Sequence, residues 1–129
     1  MDTHQLSFGT INILREDLAE VIIDDGIEVC LEQVNEADEF LAHYLQAPFS
    51  LLFNKKNKYS FEFNAQLKLG TVAGLNAVAV ICYNKTTNTL TKVLSSGVPR
   101  SVKWNMETFS NRADALVWLE GQQQNKVRE

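Results

Sequence analysis

The chain has 129 residues, 45% of them hydrophobic and 22% charged, so a single compact globular domain is expected and disordered or fibrous classes are excluded. Its net charge is −4, with eleven acids and one base in residues 1–45 but five acids and eleven bases in residues 46–129. An acidic total without a long basic stripe excludes duplex nucleic acid as the expected partner, while the uneven halves suit a charged interaction surface or a two-fold homodimer.

The start, MDTHQLSFG, lacks the basic region and apolar run of a secretory signal, and no stretch approaches the ~20 apolar residues of a membrane span. A cytoplasmic protein with no membrane span is expected. GTINILRED (9–17) and LAEVIIDDG (18–26) read as two strands of a hairpin, with Ile11 and Ile13 alternating against Thr10 and Asn12. From Leu31 the period changes. Val34, Ala37, Leu41, Tyr44 and Leu45 form the stripe of an amphipathic helix that ends before Pro48.

PFSLLFN (48–54) is an apolar run consistent with a buried strand, and AVAVICY (77–83) is apolar on nearly every position, as in a strand covered on both faces. Between them lies KYSFEFNAQLKL (58–69), which fits two periods. Tyr59, Phe61, Phe63, Ala65, Leu67 and Leu69 alternate like a strand, whereas Phe61, Ala65, Leu69 and Val72 follow a helix stripe. A hairpin across NKKNK (54–58) is one reading. The other is a helix from about 61 to 72 with Ser60 as its N-cap, and it is the more coherent, because 77–83 needs helices on both faces.

NTLTKVLSSG (88–97) reads as a short helix, SVKWNME (101–107) as a strand through Val102, Trp104 and Met106, and ALVWLEGQQQ as a closing helix capped within residues 110–114. The expected fold is α/β: one domain over 1–129, a mixed and mostly parallel sheet with an N-terminal hairpin, and about four helices in the order β-β-α-β-α-β-α-β-α. Residues 1–8 and 121–129 are expected to be loose ends.

Catalytic constellations are hard to find. His4 and His43 have no evident partners, neither a GxGxxG nor a GxxxxGK[ST] pattern occurs, and Asp24-Asp25 before Gly26 is turn chemistry. Cys30 and Cys82 are too few for a disulfide framework and lack the neighbours of a metal site. No enzymatic activity, metal or cofactor is expected. One constellation remains: in a parallel sheet the loops after 49–53 and 77–83 emerge at one edge, bringing together Lys55, Lys56, Lys58, Ser60, Lys85, Thr86 and Thr87 as parts of an anion or partner-binding site. Tyr59, Phe61 and Phe63 are candidates for an apolar pocket beside it.

The hairpin, the Glu-rich helix, PFSLLFN, KKNKYSFEFNAQ, LNAVAVICYNK and NRADALVWL together resemble small bacterial SpoIIAA-like proteins of unknown function, which are similar in fold to the STAS-domain anti-sigma-factor antagonists. The resemblance covers nearly the whole chain and implies a single STAS-like domain with a helix after the third strand. It also implies a regulatory, protein-interaction role. In the antagonists a kinase phosphorylates the serine of an Asp-Ser-Gly-like element at that helix start. Here the region reads NKKNKYSFEF, and Ser60 is its only serine. The alternative reading is a small-ligand protein, with an anionic head at Lys55, Lys56 and Lys58 and the body of a lipid or amphiphile near Phe61 and Phe63.

Overall fold

The computed structural model describes residues 2–83 and 105–125. In chain order its elements are β1 (Asp2–Leu6), β2 (Gly9–Arg15), β3 (Leu18–Ile23), β4 (Glu28–Val29), α1 (Leu31–Tyr44), β5 (Phe49–Asn54), β6 (Ser60–Phe61), α2 (Phe63–Lys68), β7 (Leu75–Ile81), β8 (Met106–Phe109) and α3 (Arg112–Gln124). Six strands make one mixed sheet in the order β1-β2-β3-β5-β7-β8. The first three pair antiparallel, and β3, β5, β7 and β8 run parallel. The fold is therefore α/β, as the sequence indicates.

Alternation along the strands divides the core. Val21, Ile23, Phe49 and Leu51 point to the side covered by α1 and α2, where Val34, Leu41, Leu45 and Ala65 meet them. Leu18, Leu52, Ala77, Ala79 and Ile81 point to the other side, against Ala115 and Leu119 of α3. The near-complete apolarity of β7 follows from this arrangement. Its Val78 and Val80, with Cys82 just beyond its end, serve one face while its small alanines and Ile81 serve the other.

Helix α1 begins where the Gln33 side-chain carbonyl accepts a 3.1 Å bond from the Cys30 N–H, satisfying one of the otherwise free donors of the first turn. Of its sequence stripe, Val34, Leu41 and Leu45 are buried, whereas Tyr44 is 46% exposed and stacks on Phe40 at 4.4 Å. Helix α3 is capped by Asn111, whose Oδ1 accepts from the Asp114 N–H at 2.9 Å.

Several expectations need correction. Of the expected loose end 1–8, residues 2–8 are ordered into the fold: Asp2–Leu6 pairs with β2, and His4 lies edge-on to the Phe40 ring at 4.9 Å. Residues 121–124 continue α3 rather than fray, with Gln123 buried; residues 126–129 lie outside the described residues. The last strand occupies 106–109, later than the 101–107 read from the sequence, whose residues 101–104 lie outside the description, as does the helix read over 88–97. The described residues contain three helices.

The largest correction concerns 58–72. Ser60–Phe61 is a two-residue strand paired in parallel with Glu28–Val29, and the helix begins only at Phe63, with Glu62 at the N-cap. Backbone bonds from Ser60 N–H to Ile27 C=O (3.1 Å) and from Glu62 N–H to Val29 C=O (2.9 Å) hold this ribbon. Ser60 therefore caps no helix. Its side chain is exposed and has no cap bond to lose, so Ser60→Ala is expected to change stability by less than about 0.5 kcal/mol rather than by the ~1 kcal/mol of a lost cap. Denaturation midpoints of the variant and the parent check this.

Candidate functional site

Between the α1 and α2 layer and the sheet lies a cavity of about 200 Å³. Its floor comes from side chains on one face of adjacent strands, including Val21, Leu51, Val78 and Val80, and its wall from Val34, Ala37 and Leu41 on α1. The segment 59–61 and the far end of α2, with Leu69 and Val72 beyond it, close the remainder. Helix α2 is too short to fill the space over the sheet. Its single buried residue, Ala65, is also small.

The cavity's polar groups are few. Lys55 follows the last residue of β5, and its backbone N–H bonds to Ile81 C=O at 3.2 Å, which fixes the start of its side chain beside the cavity. The ammonium sits 5.3 Å from the centre of the Tyr59 ring, a cation–π contact. Burial pushes the Lys55 pKa down, opposed by the neighbouring Cys82 thiol. Burial pushes the Tyr59 phenol up, and the Cys82 thiol adds to that rise, so Tyr59 is protonated at neutral pH. Tyr59 in turn packs edge-to-face on Phe61 at 5.6 Å.

Asp38 is the acid on the cavity wall, and burial raises its pKa against the partly offsetting effect of Lys68. Its Oδ2 lies 2.9 Å from Lys68 Nζ, so this carboxylate already has its counter-ion and ties α1 to α2. Lys55 is the only lysine or arginine among the described lining residues.

The residues singled out in the sequence are thus separated. Lys55, Tyr59, Ser60 and Phe61 line the cavity. Lys56 and Lys58 are exposed, and the Lys58 N–H donates to Asp25 Oδ1 at 2.9 Å in a turn-to-turn contact. Phe63 does not line the cavity: it is 68% exposed at the start of α2. Lys85, Thr86 and Thr87 lie outside the described residues. The six-residue α2 starts after the ribbon rather than at the lysine loop, so its N-terminus does not join Lys55, Lys56 and Lys58. The α1 wall was not singled out from the sequence, although Val34, Ala37 and Leu41 were placed on its inward stripe.

The opposite face carries a polar network. Glu20, 4% exposed in the middle of β3, receives Arg112 Nε at 3.1 Å and Nη2 at 3.2 Å, together with Asn54 Nδ2 at 3.0 Å. Tyr83 donates its hydroxyl to Asn54 Oδ1 at 2.7 Å. Burial alone would raise the Glu20 pKa, but hydrogen bonds from Arg112, Asn54 and Asn12, with the Arg112 charge, outweigh it and hold the carboxyl below its ordinary value of 4.5. These contacts fasten the start of α3 to the sheet. At its other end, Gln123 donates to Asp17 C=O at 3.2 Å and Pro48 C=O at 3.0 Å, and Ser50 donates to Gln123.

The lowered Glu20 pKa sets the sign of a pH effect. The folded state binds the proton more weakly than the unfolded chain, so the stabilisation is present above pH 4.5 and is lost as pH falls through the lower folded value. Glu20→Gln is expected to cost about 1 to 2 kcal/mol at neutral pH, discounted for the exposed side of the guanidinium, with the difference from the parent shrinking near pH 3. Denaturation midpoints of both proteins at the two pH values measure it.

Among the described residues no helix is long and apolar enough to cross a membrane, and no three His, Cys, Asp or Glu side chains gather to hold a metal ion. Compared with family models, curated proteins and solved structures, the chain finds no match in any of the three.

Proposed function

We propose that the chain is a binding module for one small amphiphilic anion, its apolar body in the cavity beneath α1 and α2 and its head at Lys55. The observation that carries this reading is an apolar cavity whose described lining residues include a single lysine, Lys55, and a single acid, Asp38, the latter bonded to Lys68. An apolar cavity of ~150 Å³ holds benzene with its six carbons, so 200 Å³ takes roughly eight non-hydrogen atoms. Decanoate can place about eight carbons of its chain there and keep its remaining carbons and carboxylate for Lys55. Each methylene removed from water contributes about 0.8 kcal/mol, and a charge-assisted hydrogen bond at Lys55 about 1.5 to 3 kcal/mol.

Decanoate is expected to displace an apolar fluorescent probe from the protein, decylammonium to do so far less well, and Lys55→Met to weaken decanoate by about tenfold or more. Failure of decanoate to displace the probe at millimolar concentration, with native mass spectra showing only unliganded protein, would overturn the proposal. No catalytic step is required, and a cytoplasmic location belongs to the same reading.

A second reading, a STAS-like regulatory module, is supported by a different feature: Lys56, Lys58 and, a few residues on, Phe63 are all exposed to solvent. Its partner would be an acidic protein surface, with the chain's own acidic first half as the homodimeric version. Loss of a stoichiometric partner in Lys56→Glu/Lys58→Glu supports it. Sedimentation as a monomer at every concentration and at low salt removes the homodimer.

A further inference from the structure

We infer that Lys55 also captures carbonyl ligands covalently, its ε-amine condensing with a medium-chain alkyl aldehyde seated in the cavity to give a reversible imine. The inference rests on the cavity reading and deepens it by naming a second head group for the same site. Three observations converge. The cavity is apolar and takes most of a decyl chain, Lys55 is the only amine among its described lining residues, and that amine stands at the Tyr59 end rather than out in solvent with Lys56 and Lys58.

The chemistry follows from that placement. Imine formation needs a neutral amine, and an apolar wall disfavours the ammonium. Desolvation shifts Lys55 in that direction. Its nitrogen attacks the aldehyde carbon, the C=O π electrons become an alkoxide that takes a proton, and the carbinolamine then expels its oxygen as water. Both amine hydrogens leave with that oxygen, one C–N double bond is made, and no oxidant or reductant is consumed. Water relays the protons from nitrogen to oxygen, and the Tyr59 ring, 5.3 Å from the amine, bounds the same end of the cavity. Reversal by water returns the aldehyde, so the site stores such a ligand without altering it.

The test uses decanal with the full chain, cyanoborohydride to fix any imine as a secondary amine, and peptide mass mapping. The expected result is alkylation at Lys55 in excess over Lys56, Lys58 and Lys68, suppressed by decanoate, and lost from the cavity in a folded Lys55→Arg protein. Mapping and competition on the parent chain stand even where that variant does not fold. Alkylation spread over the exposed lysines without excess at Lys55, while decanoate still displaces the probe, overturns the inference and leaves the cavity reading in place. Absence of both decanoate displacement and Lys55 alkylation removes the two together.

Discussion

Leu119→Ala is expected to lower the unfolding free energy by about 3 kcal/mol, within the range of buried leucine truncations. Leu119 is 0% exposed on α3 and belongs to the cluster of Leu18, Leu52, Ala77, Ala79, Ile81 and Ala115. Ala77 and Ala79 of β7 and Ala115 of α3 in that cluster are too small to fill the space left behind. The helix is also held at both ends by Arg112 on Glu20 and by Gln123 on the backbone of Asp17 and Pro48, which limits its settling onto the sheet. Chemical denaturation measures the loss. A change below about 1 kcal/mol would mean that α3 relaxes freely and that its polar fastenings are weak.

Ala37→Phe is expected to reduce decanoate affinity by about a hundredfold or more, equivalent to roughly 2.8 kcal/mol, while leaving the fold intact. Ala37 lies on the α1 wall of the cavity, half-buried and one turn from Val34 and Leu41. A phenyl ring is comparable to the benzene that fills a ~150 Å³ cavity, so it consumes most of the 200 Å³ here. Because the added ring enters empty space rather than a packed core, its burial offsets much of the strain that overpacking normally brings. Probe displacement and a denaturation curve on the same protein separate the two effects. Unchanged affinity in a folded variant would place the ligand elsewhere.

The division of the molecule into strands and helices was legible where burial is two-sided or strongly periodic. AVAVICY announces a strand covered on both faces, and the stripe of Val34, Ala37 and Leu41 announces a helix. The stretch 58–69 looked ambiguous because it contains both structures: Ser60–Phe61 obeys strand pairing, and Phe63–Lys68 is helical. Phe63, which belonged to the alternating pattern, falls where the strand ends and is left in solvent. The partner that makes 60–61 a strand is only the dipeptide Glu28–Val29, too short to carry a period of its own.

Other features depended on distant residues. DTHQL shows no alternation of large apolar side chains, yet it forms the edge strand because its backbone pairs with β2. The acid within LAEVII was the visible sign of a buried polar contact. Its partner Arg112 lies 92 positions away, brought there by α3 crossing the sheet face. The cavity was anticipated only at Lys55, Tyr59, Ser60 and Phe61. The rest of its lining comes from alternate positions on several strands and from the shortness of α2, which becomes visible only when the layers are stacked.

The most direct measurement of the cavity reading is a titration of the isotopically labelled protein with decanoate, followed by backbone amide and methyl resonances. The predicted result is saturable shifts at Val34, Ala37, Leu41, Leu51, Lys55, Tyr59 and Val80, with nuclear Overhauser contacts from the decanoate chain to the methyl groups of Val34 and Val80. Shifts confined to the exposed Lys56, Lys58 and Phe63, or linear shifts that never saturate, would contradict it.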